Sequence, residues 1–199
     1  MKEKIFIMYI ASILAVLIPV PGRLAYGIIL AFTFIVLFFS SILLNFLLDK
    51  YIELPIKWII TPLFFVFIVT VIQCLLSIFL PVLSMQISFV LYIQVFSFYM
   101  INILKNIQGS TLKERIKSQL PQCIWYTVSA LLFSLIRDIL GYGTITFPSS
   151  KGLYSIKLFS VQSFPLMNFF ASIPGAAILS ALILLFISLV KTKKEASCE

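Results

Sequence analysis

Apolar and polar positions are sorted along this chain in long blocks. Five runs carry no charged residue: Ile5–Gly22, Leu24–Leu48, Trp58–Leu104, Ser118–Ile136 and Leu158–Val190. All 15 basic and 7 acidic residues lie between or beyond them. A helix rises about 1.5 Å per residue, so about 20 residues cross the hydrocarbon core of a bilayer. By that measure Leu24–Leu48 makes one helix, and Trp58–Leu104 makes two, hinged at Pro81 near Ser84-Met85-Gln86. Ile124–Leu140 supplies a fifth and Leu166–Val190 a sixth. The first run is shorter, and Pro19-Val20-Pro21-Gly22 stops it because proline cannot continue the helical ladder. The pattern predicts an all-α membrane protein with six transmembrane helices in one domain over 1–199, spanning about 5–20, 24–48, 58–80, 86–104, 122–140 and 166–190.

Composition agrees and narrows function. The chain is 61% hydrophobic and 11% charged, where a soluble domain carries about 25% charge. Its mean hydropathy is +1.13. So little chain lies outside the apolar runs that a nucleotide-binding domain or a water-exposed catalytic domain has no room. Histidine, the commonest general base and metal ligand, is absent. The net charge of +8 reads as membrane topology rather than nucleic-acid binding. Lys2, Lys4, Lys50, Lys57, Lys105, Lys113, Arg115, Lys117, Lys191, Lys193 and Lys194 fall on one side of a six-span arrangement. Arg23, Lys151, Lys157 and Arg137 fall on or near the other. The positive-inside bias then puts both termini in the cytoplasm of a multi-pass protein of the cell (inner) membrane. Lys2 and Lys4 before an apolar stretch also fit a signal peptide, but no small-x-small cleavage site follows, so an uncleaved helix is expected.

Two connections have patterns of their own. In Lys105–Leu120, Thr111 and Glu114 have capping-box spacing, and Leu112, Ile116 and Leu120 recur every four residues. That describes either a short amphipathic helix on the inner surface, with Lys113 and Lys117 toward anionic headgroups or a partner, or a solvated connector. Gly141–Ser163 is long for a compact protein and reads either as a lid over the membrane face or as a surface loop.

Candidate chemistry is sparse. Arg137-Asp138, followed by Ile139-Leu140-Gly141-Tyr142-Gly143-Thr144, is the one pair of opposite charges close to a helix interior. One reading has Arg137 snorkelling to the interface and Gly141 ending the helix in a left-handed conformation. The other makes Arg137, Asp138, Gly141 and Gly143 part of an ion path or a subunit contact, with the pair enclosed by a partner. Cys74 and Cys123 read as small buried apolar residues, and Cys198 lies on the tail. Gln73, Gln94, Asn45, Asn102 and Asn168 suit hydrogen bonds between helices. No nucleophile–base arrangement, phosphate loop or metal-ligand cluster is visible. The residues themselves offer no catalytic machinery.

The order of features hints at duplication. Span one stops early at prolines, and span four follows Pro81; spans three and six carry Pro62 and Pro174. Three helices repeated after an odd number of spans lie upside down, giving an inverted 3+3 repeat with short helices one and four.

Ser134-Leu-Ile-Arg-Asp-Ile-Leu-Gly-Tyr-Gly-Thr144 resembles the end of helix five in the small membrane subunits of Rnf and Na+-translocating Nqr electron-transport complexes. Pro55-Ile56 through Val71-Ile72-Gln73, and Ile173-Pro174-Gly175-Ala176, also match, and the similarity covers roughly residues 9–190. N-terminus-in corresponds to the Rnf E / Nqr D type. The resemblance implies an oppositely oriented paralogous partner, further membrane subunits, and a [2Fe–2S] cluster held between the paralogues by cysteines from helices one and four. This chain departs there: Leu17–Gly22 has no cysteine, and Phe96 stands about where the second ligand belongs. The expected role is therefore structural, or in an ion path. The alternative is the substrate-binding membrane component of a small-solute, energy-coupling-factor-type uptake transporter, docking through Ala11-x-x-x-Ala15.

Overall fold

A computed structural model describes residues 12–51, 54–103, 112–150, 152–158 and 165–196. Its elements are helical backbone over 12–17 (α1), then α2 (Leu24–Tyr51), α3 (Leu54–Phe79), α4 (Pro81–Ile103) and α5 (Leu112–Tyr142). A hairpin of β1 (Thr144–Ser149) and β2 (Gly152–Lys157) follows, then α6 (Pro165–Ala171) and α7 (Ile173–Ala196). The chain is mostly helical, and three stretches are long and apolar enough to cross a membrane: Leu24–Leu48, Ile59–Phe79 and Cys123–Tyr142. Pro81–Ser97 and Ile173–Leu189 are shorter apolar helical stretches.

The centre of the bundle is α2 packed along α5, with Tyr26, Leu30, Phe34 and Leu37 of α2 fully covered. Phe34 stacks on Tyr126 of α5 with ring centroids 3.5 Å apart. Among the described side chains of α3 only the stripe Thr61, Phe65, Val69 and Ile72 is buried, at helical spacing. The rest of that helix shows Ile59, Leu63, Phe67 and Ile78 to the outside. A helix apolar on every side belongs in a protein core or in lipid, and this one has most of its surface outside the core and is long enough to cross a bilayer. The chain is a membrane protein on that ground.

Four sequence expectations change. The corner between the third and fourth helices falls at Leu80, and α4 starts at Pro81 rather than near 86. Proline suits a first helical position because its missing N–H has no intrahelical partner there. The expected surface helix near Leu112–Leu120 is instead the first turns of α5, which continues through Pro121. Leu112 and Ile116 pack against the core, and Lys113, Glu114 and Lys117 are exposed. Thr111 lies outside the described residues, as do Cys198 and Ala11. The all-helical expectation gives way at Thr144–Lys157, where Thr-Ile-Thr-Phe alternation and Gly152 (φ 122°) make an antiparallel hairpin pairing Thr146 with Ser155 and Phe147 with Tyr154. The single last span is broken in two at Ser172.

Candidate functional site

The break at Ser172 has a chemical cause. Pro174 has no N–H, and its ring excludes the carbonyl four residues before it, which belongs to Phe170. Ser172 manages both sides of the gap. Its N–H donates to Phe169 O at 3.0 Å, and its hydroxyl accepts from Gly175 N–H at 3.4 Å, capping α7. The carbonyls of Phe170 and Ala171 are left without helical partners, while Ser172 O accepts from Ala176 N–H at 3.0 Å and keeps one lone pair open. A second set of under-used carbonyls arises where the prolines stop α1 at Leu17–Val20, where Leu17 O takes only a 3.3 Å bond from Val20 N–H.

Arg137 of α5 serves both sets. Its Nε donates to Phe170 O (3.4 Å), Nη1 to Leu17 O (3.1 Å) and Val20 O (2.8 Å), and Nη2 to Ala171 O (3.0 Å) and Ser172 O (3.4 Å). A guanidinium has five N–H donors, and here five backbone carbonyls receive them. The residue is 1% exposed. Both groups of carbonyls sit at helix C-termini, where the aligned peptide dipoles favour a cation.

Asp138, the next residue, is fully buried and faces a helix start. Its Oδ2 accepts from Leu24 N–H (3.0 Å), Thr146 N–H (2.8 Å) and the Thr146 hydroxyl (2.6 Å), and Oδ1 accepts from the Thr144 hydroxyl (2.8 Å). The Thr146 oxygen accepts in turn from Ala25 N–H at 3.3 Å. A carboxylate at the first turn of α2 is matched to the positive end of that helix dipole. The hairpin is thereby fastened to α2 and α5 through its two inward threonines.

The pair is thus not snorkelling. It is enclosed by this chain's own backbone, and its hydrogen bonds run to helix ends and to the first residues of β1. With every guanidinium donor used and both carboxylate oxygens engaged, the pair acts as a lock; an ion could reach Asp138 only if these bonds opened.

Gly141 and Gly143 have separate jobs. Gly141 does not end α5; it lies within the helix, where a Cβ would come 2.7 Å from Ala171 Cβ and 3.0 Å from Ala171 N. Absence of a side chain is what lets α6 close onto Arg137. The left-handed residue is Gly143 (φ 63°), whose N–H donates to Ile139 O at 3.0 Å and turns the chain from α5 into β1.

A second polar site lies at mid-bundle. Gln94 of α4 is fully buried, and its Nε2 donates to Leu30 O at 2.8 Å and to the Tyr126 hydroxyl oxygen at 3.3 Å. Its Oε1 meets no protein donor. Asn45 donates to the Ser41 hydroxyl of its own helix (3.3 Å), Asn168 is exposed, and the side chain of Asn102 lies outside the described residues. Gln73 Oε1 also meets no donor.

Compared with known protein families, curated proteins and solved structures, the chain matches none of them.

The cluster implied by the family resemblance can be tested against the residues present. Leu17–Gly22 now includes two carbonyls given to Arg137, and Phe96 is 63% exposed on the outside of α4. Cys74 is exposed on α3 and Cys123 is buried in α5. Among the described residues no three His, Cys, Asp or Glu side chains converge to hold a metal ion. Thiolate ligation needs cysteines at the two short helices, so these residues do not fit a [2Fe–2S] group.

Sequence reading found Arg137, Asp138 and the glycines, but not Thr144 and Thr146 as partners. The signal was present as a Thr-x-Thr alternation after Gly143, which puts both hydroxyls on one face of a strand.

Proposed function

We propose that this chain is an integral membrane subunit of an Rnf/Nqr-type ion-translocating electron-transport complex, serving as scaffold rather than as electron carrier. In this reading it has six spans with both termini cytoplasmic, built as an inverted 3+3 repeat, and it packs against an oppositely oriented paralogue in the cell (inner) membrane. The observation that carries the reading is the coincidence of two facts about one segment. Arg137–Thr144 holds the residues that resemble the family, and the same residues tie the end of α1, the break after α6, the start of α2 and the hairpin together. Discontinuous helices whose ends face one polar point are a recurrent plan of membrane transport proteins built from repeats. The close packing of α2 on α5 supports the repeat, since these are equivalent helices in a 3+3 arrangement.

Purification of the tagged chain from its own membrane in mild detergent tests this. Co-purifying flavin-bearing and ferredoxin-type subunits with a paralogous membrane subunit are expected. Paired ATPase subunits would overturn the reading in favour of an uptake transporter, and isolation with neither set would also overturn it. For orientation, cysteines at positions 110 and 149 in a background lacking native cysteines should label from opposite sides.

A further inference from the structure

α1, α5 and α7 enclose a cleft of about 450 Å³, within the size range of small-molecule pockets. Its walls include Ile13 of α1, Trp125, Ser129 and Leu132 of α5, and Ile183 and Ile187 of α7. The one hydroxyl among them, that of Ser129, donates to Trp125 O of its own helix, and the Trp125 indole N–H is the one other polar side-chain group, so the walls are almost wholly apolar. A polar ligand or an extended peptide would lose its hydrogen bonds on entering. The occupant inside the cleft must be hydrocarbon.

One end of the cleft is marked by charge. Gly141 near the end of α5 packs on Ala171 at the end of α6, so α7 runs back along α5 toward its beginning. Ile183, Ile187 and Lys191 are spaced by four in sequence on α7, which puts position 191 of the helix backbone one turn beyond the apolar part of the cleft. Lys193 and Lys194 follow, with Glu195, and the first turns of α5 at the same end show Lys113 and Lys117 with Glu114. Cations outnumber acids there. Trp125, 60% exposed in the wall, is the residue type that sits at membrane–water interfaces.

We propose that this cleft binds one phospholipid with an anionic headgroup, an acyl chain lying along Leu132 and Ile183 and the headgroup at the basic end marked by the first turns of α5 and the last turns of α7. The inference holds whichever complex the chain joins. Native mass spectrometry tests it on the full chain, purified in mild detergent with an equal mixture of phosphatidylglycerol and phosphatidylcholine. One retained phosphatidylglycerol per chain is expected, favoured about fivefold for each lysine engaged. Ile183→Trp, which fills the cleft from a half-buried position, should abolish retention; Leu63→Trp, equally bulky on the outer face of α3, should not. Lys191→Gln should reduce the headgroup preference about fivefold. Equal retention of the two lipids, no retained lipid, or the same response to both tryptophan variants would overturn the proposal; the last would mean ordinary lipid coating or a cleft closed by a partner helix.

Discussion

Two buried polar sites in this bundle differ in how well the surrounding backbone can serve them. At Arg137-Asp138 all five guanidinium donors and both carboxylate oxygens have partners. At Gln94 the amide nitrogen is served and the oxygen is not. The difference follows from helix integrity. An unbroken helix spends its N–H groups on its own ladder but keeps a second lone pair on each carbonyl, so Leu30 O can accept from Gln94 while no neighbouring N–H is free to donate. Only chain breaks release both kinds of group. The two charges sit where α1 and α6 stop and α2 starts, and a strand end adds one more N–H. Breaks therefore need not be weaknesses in a membrane bundle, provided a charge of the correct sign stands at each one.

The largest effect should come from breaking the lock. Asp138→Ala leaves two buried backbone N–H groups and two threonine hydroxyls without their acceptor, at about 1–3 kcal/mol for each buried donor, the largest expected loss by unfolding in detergent. Replacing both charges sharpens the point. If the two residues chiefly satisfied each other, an Arg137→Met, Asp138→Leu double variant would recover stability, as apolar replacement of ion pairs often does. Because their partners are fixed backbone ends that stay behind, the double variant should be at least as unstable as Asp138→Ala.

Next in size is Gly141→Val. Its side chain would meet the backbone of Ala171, which cannot swing aside as a side-chain tip can, and would push α6 away from Arg137. A loss of about 1–3 kcal/mol is expected, the range for overpacking a close contact. Smallest is Gln94→Leu. It gives up two bonds made by Nε2 but also removes an oxygen with no donor, so the net change should stay within about 1 kcal/mol in the same unfolding measurement. A loss as large as that of Asp138→Ala would erase the contrast between the two sites.

Much of this contrast was legible in the sequence as parts and not as an assembly. Pro19, Pro21 and Pro174 announced where helices would fail, and Arg137-Asp138 stood out as charge in an apolar run. What periodicity could not supply was that the two proline-made breaks lie side by side. That depends on Gly22 and Gly141, both of which bring the chain within reach of Ala171, a long-range contact with no local signature. Length alone reads Gly141–Ser163 as a lid or a surface loop, although polar and apolar residues alternate through Thr144–Phe147 as they do in a strand. Either Gly141 or Gly143 satisfies the local pattern of a helix-ending glycine, and only the packing of α6 on Gly141 tells them apart. The boundary of α5 shifted for a related reason: Leu112 and Ile116 continue its apolar face, so a separate surface helix was never needed.

The lock itself is most directly tested by hydrogen exchange at the amides of Leu24 and Thr146, the two backbone donors to Asp138. In the intact protein both should exchange slowly, although Leu24 stands at a helix start, where amides ordinarily have no partner. In Asp138→Ala both should exchange at least about tenfold faster while amides of Phe65–Ile72 in α3 keep their protection, the signature of one opened clamp in a bundle that otherwise holds. Unchanged protection at Leu24 and Thr146 in that variant would contradict the account.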